Sequence, residues 1–169
     1  MIIAICGGLG SGKTLLETRY AYKEHKKGKK IFANYNLNFE HTKINLVDLL
    51  EHKPELENSG LFMDEIYIYL DSRLSMAKRN RMLSYFVFQT RKLGVTLYFT
   101  SQHIGQVDVR LRNMIDILCL CKQTIKKDWF KIDMTDYRDF PDVRSNTFVF
   151  NGSVYYPMYD TKELVTFEE

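Results

Sequence analysis

At 169 residues the chain has the length of one domain, enough to bury a sizeable core, and its 45% hydrophobic and 27% charged residues exclude a disordered or low-complexity polymer. A net charge of +3 is too small to argue for a nucleic-acid partner by itself. The cysteines, Cys6, Cys119 and Cys121, have no C-x-x-C spacing, which argues against a zinc ribbon or a disulfide framework and suits a reducing compartment.

The run Ile2-Ile3-Ala4-Ile5-Cys6 reads as a buried strand. It lacks the basic flank of a secretory leader and runs directly into Gly7-Gly8-Leu9-Gly10-Ser11-Gly12-Lys13-Thr14. This is the G-x-x-x-x-G-K-[ST] phosphate loop between a strand and a helix. Glycines let the backbone N–H groups of Gly8, Leu9, Gly10, Ser11, Gly12, Lys13 and Thr14 close on phosphate oxygens. The helix that follows directs its positive end at the same anion. Lys13 is placed to reach the β- and γ-phosphates of ATP and Thr14 to ligate Mg²⁺. A glycine-rich turn with an incidental lysine is the bland alternative, and it needs the flanking strand and helix to be coincidental.

A helix is expected from about Lys13 to Lys27, closed by His25-Lys26-Lys27-Gly28-Lys29-Lys30. Cations and a glycine suit a helix C-terminus, which accounts for most of this basic run without a nucleic-acid contact. Ile31–Tyr35 reads as a second strand, followed by a polar loop to about Thr42 and a short helix over Ile44–Leu50 with Asn45 as its N-cap. Pro54 and Gly60 punctuate the approach to Leu61-Phe62-Met63.

That strand ends in Asp64-Glu65, where ligands bind in open α/β sheets. Asp64 is expected to hold Mg²⁺ with Thr14, and Glu65 to polarise the attacking water. The plainer reading of two adjacent carboxylates is the start of the next helix, near its positive end. A long helix is expected from about Lys78 to Leu93. It opens on Lys78-Arg79-Asn80-Arg81, where cations oppose the helix dipole, so this segment is either a solvated face or a phosphate contact. Arg91-Lys92 closes the helix, where cations suit the dipole.

Val95–Thr100 is a buried strand bounded by Gly94, and Gln102 follows its end, placed for an amide to sense the γ-phosphate. A short helix over Val107–Asn113 and a strand over Ile115–Cys121 come next. In the tail, Lys127–Met134 and Thr147–Tyr156 pattern as antiparallel strands, with Asn151-Gly152 expected as a type I′ turn. The expected fold is α/β: a P-loop NTPase three-layer sandwich with a mainly parallel sheet and a C-terminal antiparallel hairpin on one edge. It is expected as one domain over 1–169, with a core to about 122 and a β-rich extension over 123–169.

Taken in order, Gly10-Ser11-Gly12-Lys13-Thr14, Phe62-Met63-Asp64-Glu65, Arg91-Lys92-Leu93-Gly94-Val95, Thr100-Ser101-Gln102 and Val107-Asp108-Val109-Arg110-Leu111-Arg112 resemble the FtsK/HerA superfamily of P-loop ATPases. Within it the chain is most similar to the Zot-like and viral genome-packaging branch, including the stretch from Asp64-Glu65-Ile66 to Leu70-Asp71-Ser72-Arg73. The resemblance covers about residues 1–122. It implies a RecA-like, Mg²⁺-dependent ATPase that forms a pentameric or hexameric ring and moves DNA, double-stranded in the packaging case. Lys13, Thr14, Asp64, Glu65 and Gln102 take the family's site positions, Arg91 the position expected to act across a subunit interface, and Arg110 and Arg112 weaker versions of that role. A capsid or membrane protein partner and a place in the host cytoplasm or on the virion are further implications. Zot-like proteins of filamentous phages carry a membrane segment, and no apolar stretch here has that length, which favours a packaging ATPase over a Zot-like assembly protein. A small P-loop kinase and a nucleotide-binding regulator are the alternatives from other classes; Glu65 directly after Asp64 favours water over a metabolite as the acceptor.

Overall fold

Strands buried on both faces must be apolar along their whole length, and that requirement places the centre of this molecule. The computed structural model describes residues 1–44, 56–66 and 92–160. In chain order the elements are β1 (Ile2–Cys6), α1 (Lys13–Lys26), β2 (Ile31–Ala33), the short β3 (Thr42–Lys43), β4 (Gly60–Met63), β5 (Thr96–Ser101), α2 (Val109–Arg112), β6 (Ile117–Gln123), β7 (Trp129–Asp136) and β8 (Arg144–Asn151). They build one eight-stranded sheet in the order β3-β2-β4-β5-β1-β6-β7-β8. Every pairing from β3 to β6 is parallel; β6, β7 and β8 pair antiparallel. β1, β2, β4 and β5 are buried throughout.

Two cores flank the sheet. On one face Leu15, Leu16 and Ala21 of α1 pack with Ile3, Ile5, Phe62 and Cys119. On the other, Val107 and Leu111 pack with Met63, Leu97 and Phe99. This is the expected P-loop NTPase sandwich, with the hairpin extending one edge. The basic run after α1 acts as a helix stop, as its composition predicts. Gly28 adopts φ +79, and the N–H groups of Gly28 and Lys29 reach the carbonyls of His25 and Glu24 at 2.9 and 3.2 Å. Lys27 and Lys29 both pair with the Glu24 carboxylate.

Several expectations shift. β2 ends at Ala33 and not Tyr35, because Asn34 turns its side chain to the backbone of Asp64. The polar loop before Thr42 leads into β3, a parallel edge partner of β2. β6 starts at Ile117 because the Asp116 side chain accepts the Ile2 N–H at 2.7 Å. The helix expected over 107–113 is shorter, with Asp108 capping α2 and a separate 3₁₀ turn at Ile104–Gln106. The type I′ turn at Asn151-Gly152 is a correction: β8 ends at Asn151, and the β7–β8 connection lies at 137–143. Gly152 is there for space, since a Cβ on it would lie 2.3 Å from Leu15 Cδ2. Beyond Ile44, the short helix lies outside the described residues, as does the long helix before Lys92. Among the described residues no helix is long and apolar enough to cross a membrane.

Candidate functional site: the phosphate-loop cavity

The loop after β1 is held by backbone geometry. Gly10 and Gly12 sit at φ +69 and +87, a left-handed region that side chains rarely adopt. Gly12 occupies the N-cap of α1, and among the described residues no side chain caps that end. The first-turn N–H groups thus face the loop's interior as an anion site. Lys13 is buried and donates from Nζ to the Gly8 carbonyl at 3.1 Å. Ser11 Oγ is buried and lacks a hydrogen-bond partner among the described residues. An orphan hydroxyl, a lysine folded back on the loop and an uncapped helix start fit a bound phosphate chain.

Asp64 comes to this loop from β4, two strands away, with β5 lying between β4 and β1. The Gly7 N–H reaches the Ser101 carbonyl at 3.3 Å, tying the loop to the end of β5. Thr14 Oγ1 lies 3.1 Å from both Asp64 carboxylate oxygens. Burial pushes the Asp64 carboxyl above its ordinary range, against the lowering effect of hydrogen bonds from Thr100 and Thr14. Among the described residues no three His, Cys, Asp or Glu side chains group to hold a metal ion by themselves. A hydroxyl and a carboxylate suit Mg²⁺, which commonly completes its octahedron with phosphate oxygens and water. Thr14 and Asp64 are therefore the residues that would hold it, and the ion would neutralise charge on the phosphates.

Three residues that sequence reasoning passed over fix this pair. Thr100 Oγ1 donates to Asp64 Oδ1 at 2.6 Å and accepts the Glu65 N–H at 2.8 Å. Asn34 bonds both backbone groups of Asp64, each at 2.8 Å. Glu17, fully buried on α1, accepts the Met63 N–H on Oε1 at 3.1 Å, and its Oε2 has no partner among the described residues. Burial, with Asp64 nearby, pushes the Glu17 carboxyl well above the usual range. Glu65 itself stands at φ +51, a strained bend for a non-glycine residue, anchored through Thr100. Polar residues at the ends of β2 and β5, the two strands that flank β4, were the available signal for Asn34 and Thr100; Glu17 reads as an ordinary helix residue.

The remaining expected positions separate. Gln102 directly follows β5, beside the loop's first residue. Arg91 and the Lys78–Arg81 segment lie outside the described residues. Arg110 pairs with Asp108 at 3.0 Å on the surface. Arg112 lines a hollow of about 570 Å³ with Asp116, at the start of β1 and thus at the opposite end of the strands from the loop. A second cavity, about 420 Å³, opens on Gly12, Lys13 and Thr14, and its far wall is Gln123, Phe130, Tyr156 and Tyr159. That wall belongs to the extension, to which the sequence assigns no role.

No protein-family model matches the sequence, and no curated protein sequence matches it. Solved structures do. The N-terminal domain of zonular occludens toxin from Neisseria meningitidis superposes with a TM-score of 0.67 at 20% identity, covering 94% of this chain and 98% of that one. The DNA-packaging ATPase B204 from Sulfolobus turreted icosahedral virus gives 0.57 at 14% identity, covering 86% and 96%. The genome-packaging NTPase B204 of Sulfolobus turreted icosahedral virus 2, solved with ATP-γS, gives 0.58 at 15%, covering 86% and 95%. The fold is shared with these proteins, and the motif resemblance leads to the same Zot-like and packaging group.

Proposed function

We propose that this chain is a Mg²⁺-dependent ATPase of the FtsK/HerA type that spends ATP hydrolysis on moving DNA, as a viral genome-packaging motor does. One observation carries the reading: Thr14 Oγ1 lies 3.1 Å from both oxygens of Asp64, so the phosphate loop and the acidic strand end share one site. In this reading Lys13 and the loop N–H groups hold the phosphates, Thr14 and Asp64 hold Mg²⁺, and Glu65 polarises the attacking water. Gln102 reports the γ-phosphate, and Arg91 acts on a neighbouring subunit's nucleotide, which requires a ring. Residues 1–169 form a single ATPase unit in this reading, working in the host cytoplasm or at the virion with a capsid or membrane partner. The fold shared with a packaging NTPase that was solved holding ATP-γS supports nucleotide use.

The test is ATP turnover with and without single- and double-stranded DNA. Double-stranded DNA should stimulate the motor. Glu65→Gln should keep ATP binding and lose hydrolysis by at least about a hundredfold; unchanged turnover would sink its role. Release of free phosphate, and no phosphorylated metabolite, excludes the kinase alternative. The Zot-like assembly reading is favoured by the higher TM-score and coverage of the zonular occludens toxin domain. Stimulation by single-stranded DNA alone would select it.

A further inference from the structure

The chain does not stop at the sheet edge. After β8, Gly152–Asp160 leaves the hairpin and crosses the first turns of α1 as a belt. Close packing fixes it at this end: a Cβ on Gly152 would meet Leu15 and Phe130, and the Arg19 guanidinium carbon lies 4.8 and 5.7 Å from the Phe150 and Tyr155 ring centres. At its far end the Asn38 N–H and side-chain amide bond the carbonyls of Met158 and Pro157 at 2.8 and 2.7 Å, and Leu37 bridges to Tyr159. The belt thereby joins the hairpin to the segment after β2, on both sides of the phosphate loop.

This crossing closes the loop's cavity with aromatic groups. Tyr159 stands edge-on to Tyr35, 6.4 Å between ring centres, toward the Asp64 side. Tyr156 lies toward the hairpin, its hydroxyl donating to Asp128 Oδ1 at 3.0 Å and the residue 36% exposed. Phe130 is buried beneath the loop, and Gln123 ends β6 beside it. Phosphates held at Lys13 and Thr14 fix one end of a nucleotide. Among the described residues, the cavity continues from there along the wall formed by Gln123, Phe130 and Tyr156. That wall offers a partly exposed π face and an amide with both donors and an acceptor, the two things a base requires.

We infer that Tyr156, Gln123 and Phe130 form the nucleobase subsite of this cavity, and that its ligand is a purine nucleoside triphosphate. The inference rests on the nucleotide-binding reading above. The base stacks on the Tyr156 ring, which the bond to Asp128 holds in orientation; Gln123 meets the base edge; and Phe130 is the floor. A purine gains more from the stack than a pyrimidine because it covers more of the ring.

The experiment titrates the full chain, with Mg²⁺, with a non-hydrolysable ATP analogue, the matching CTP analogue and inorganic tripolyphosphate, which has phosphates and no base. Wild type should bind the ATP analogue more tightly than either of the others. Tyr156→Ala should weaken the ATP analogue about tenfold and shrink its advantage over the CTP analogue, with tripolyphosphate unchanged. Tyr156→Phe keeps the ring and should keep most of the affinity. Gln123→Ala reads the same split independently if Tyr156→Ala fails to melt cooperatively. Equal loss for the ATP analogue and tripolyphosphate, or no loss for either, overturns the subsite; equal affinity for the two nucleotides in wild type overturns the purine assignment. Failure of wild type to bind either nucleotide or tripolyphosphate is a different result and removes the nucleotide reading itself.

Discussion

One wall of the cavity is backbone and the other is side chain. The loop wall works through the N–H groups of contiguous residues, with Gly10 and Gly12 at φ +69 and +87. The far wall works through rings: Phe130, Tyr156 and Tyr159, more than a hundred positions downstream. The first wall is a local conformation, so its code is local. The second exists only once β7 has paired with β6 and the belt has crossed α1. The two meet at Phe130. A Cβ on Gly12 would lie 2.5 Å from its Cδ1, and a Cβ on Gly152 would lie 2.7 Å from its Cε2. One ring is thus clamped edge to edge by two glycines, one required for conformation and space, the other for space alone.

Gly12→Ala strikes both walls and has the largest expected effect. The methyl group meets the Phe130 ring while φ +87 strains any side chain. Strain and overpacking together should destabilise the fold by about 2–5 kcal/mol. ATP and tripolyphosphate affinity should both fall at least about a hundredfold. Titration of the two ligands checks it; retained binding of tripolyphosphate would mean that the loop does not need this glycine.

Gly152→Ala separates the walls. Its methyl group meets Leu15 and Phe130 with no backbone strain, which should cost about 1–3 kcal/mol in thermal or urea unfolding. Lifting the belt should weaken ATP and spare tripolyphosphate. Equal weakening would show that the belt supports the loop and that the two walls do not act separately.

This contrast also decides what could be read in advance. Strands β1, β4 and β5 follow from apolar runs, helix α1 and its glycine stop from cap chemistry, and an antiparallel pair in the tail, though not its turn, from patterning. Spacing alone anticipates that Thr14 and Asp64 come together, 3.1 Å apart. Asn151-Gly152 was misread because a tight turn and a close backbone crossing demand the same residue, and only the presence of Leu15 and Phe130 tells them apart. Asn34 and Thr100 carry no motif; their hydrogen bonds to Asp64 and Glu65 arise from strands brought side by side across the sheet.

Thr100→Val sharpens the loop side. It removes one bond to the Asp64 carboxylate and one from the Glu65 N–H while keeping the β-branched shape. Stability should drop by about 1–2 kcal/mol, and hydrolysis by about tenfold with little change in KM. The Thr100 hydrogen bond lowers the Asp64 carboxyl, so losing it raises that group further above its ordinary range. The acid limb of the pH–rate profile should therefore move to higher pH, which a purely structural defect would not produce.

Glu17→Gln should leave both walls standing and nucleotide binding unchanged, and it tests whether the buried acid behind Asp64 is neutral. In the folded chain its pKa lies well above the ordinary value of 4.5. Between 4.5 and that raised pKa the unfolded chain releases a proton which the folded chain retains. Stability from this group is therefore present below 4.5 and is lost as pH rises, by about 1.4 kcal/mol per pH unit. Gln does not titrate, and its NH₂ replaces a protonated Oε2 that equally has no partner among the described residues, so the swap itself adds only a roughly pH-independent offset. The variant should therefore gain on wild type as pH rises above 4.5, until the raised pKa of Glu17 is passed. Urea unfolding of both proteins from pH 4.5 to 7.5 reads that slope. A difference constant across the range would mean that Glu17 is ionised in the fold, with two negative charges behind the phosphate site in place of one.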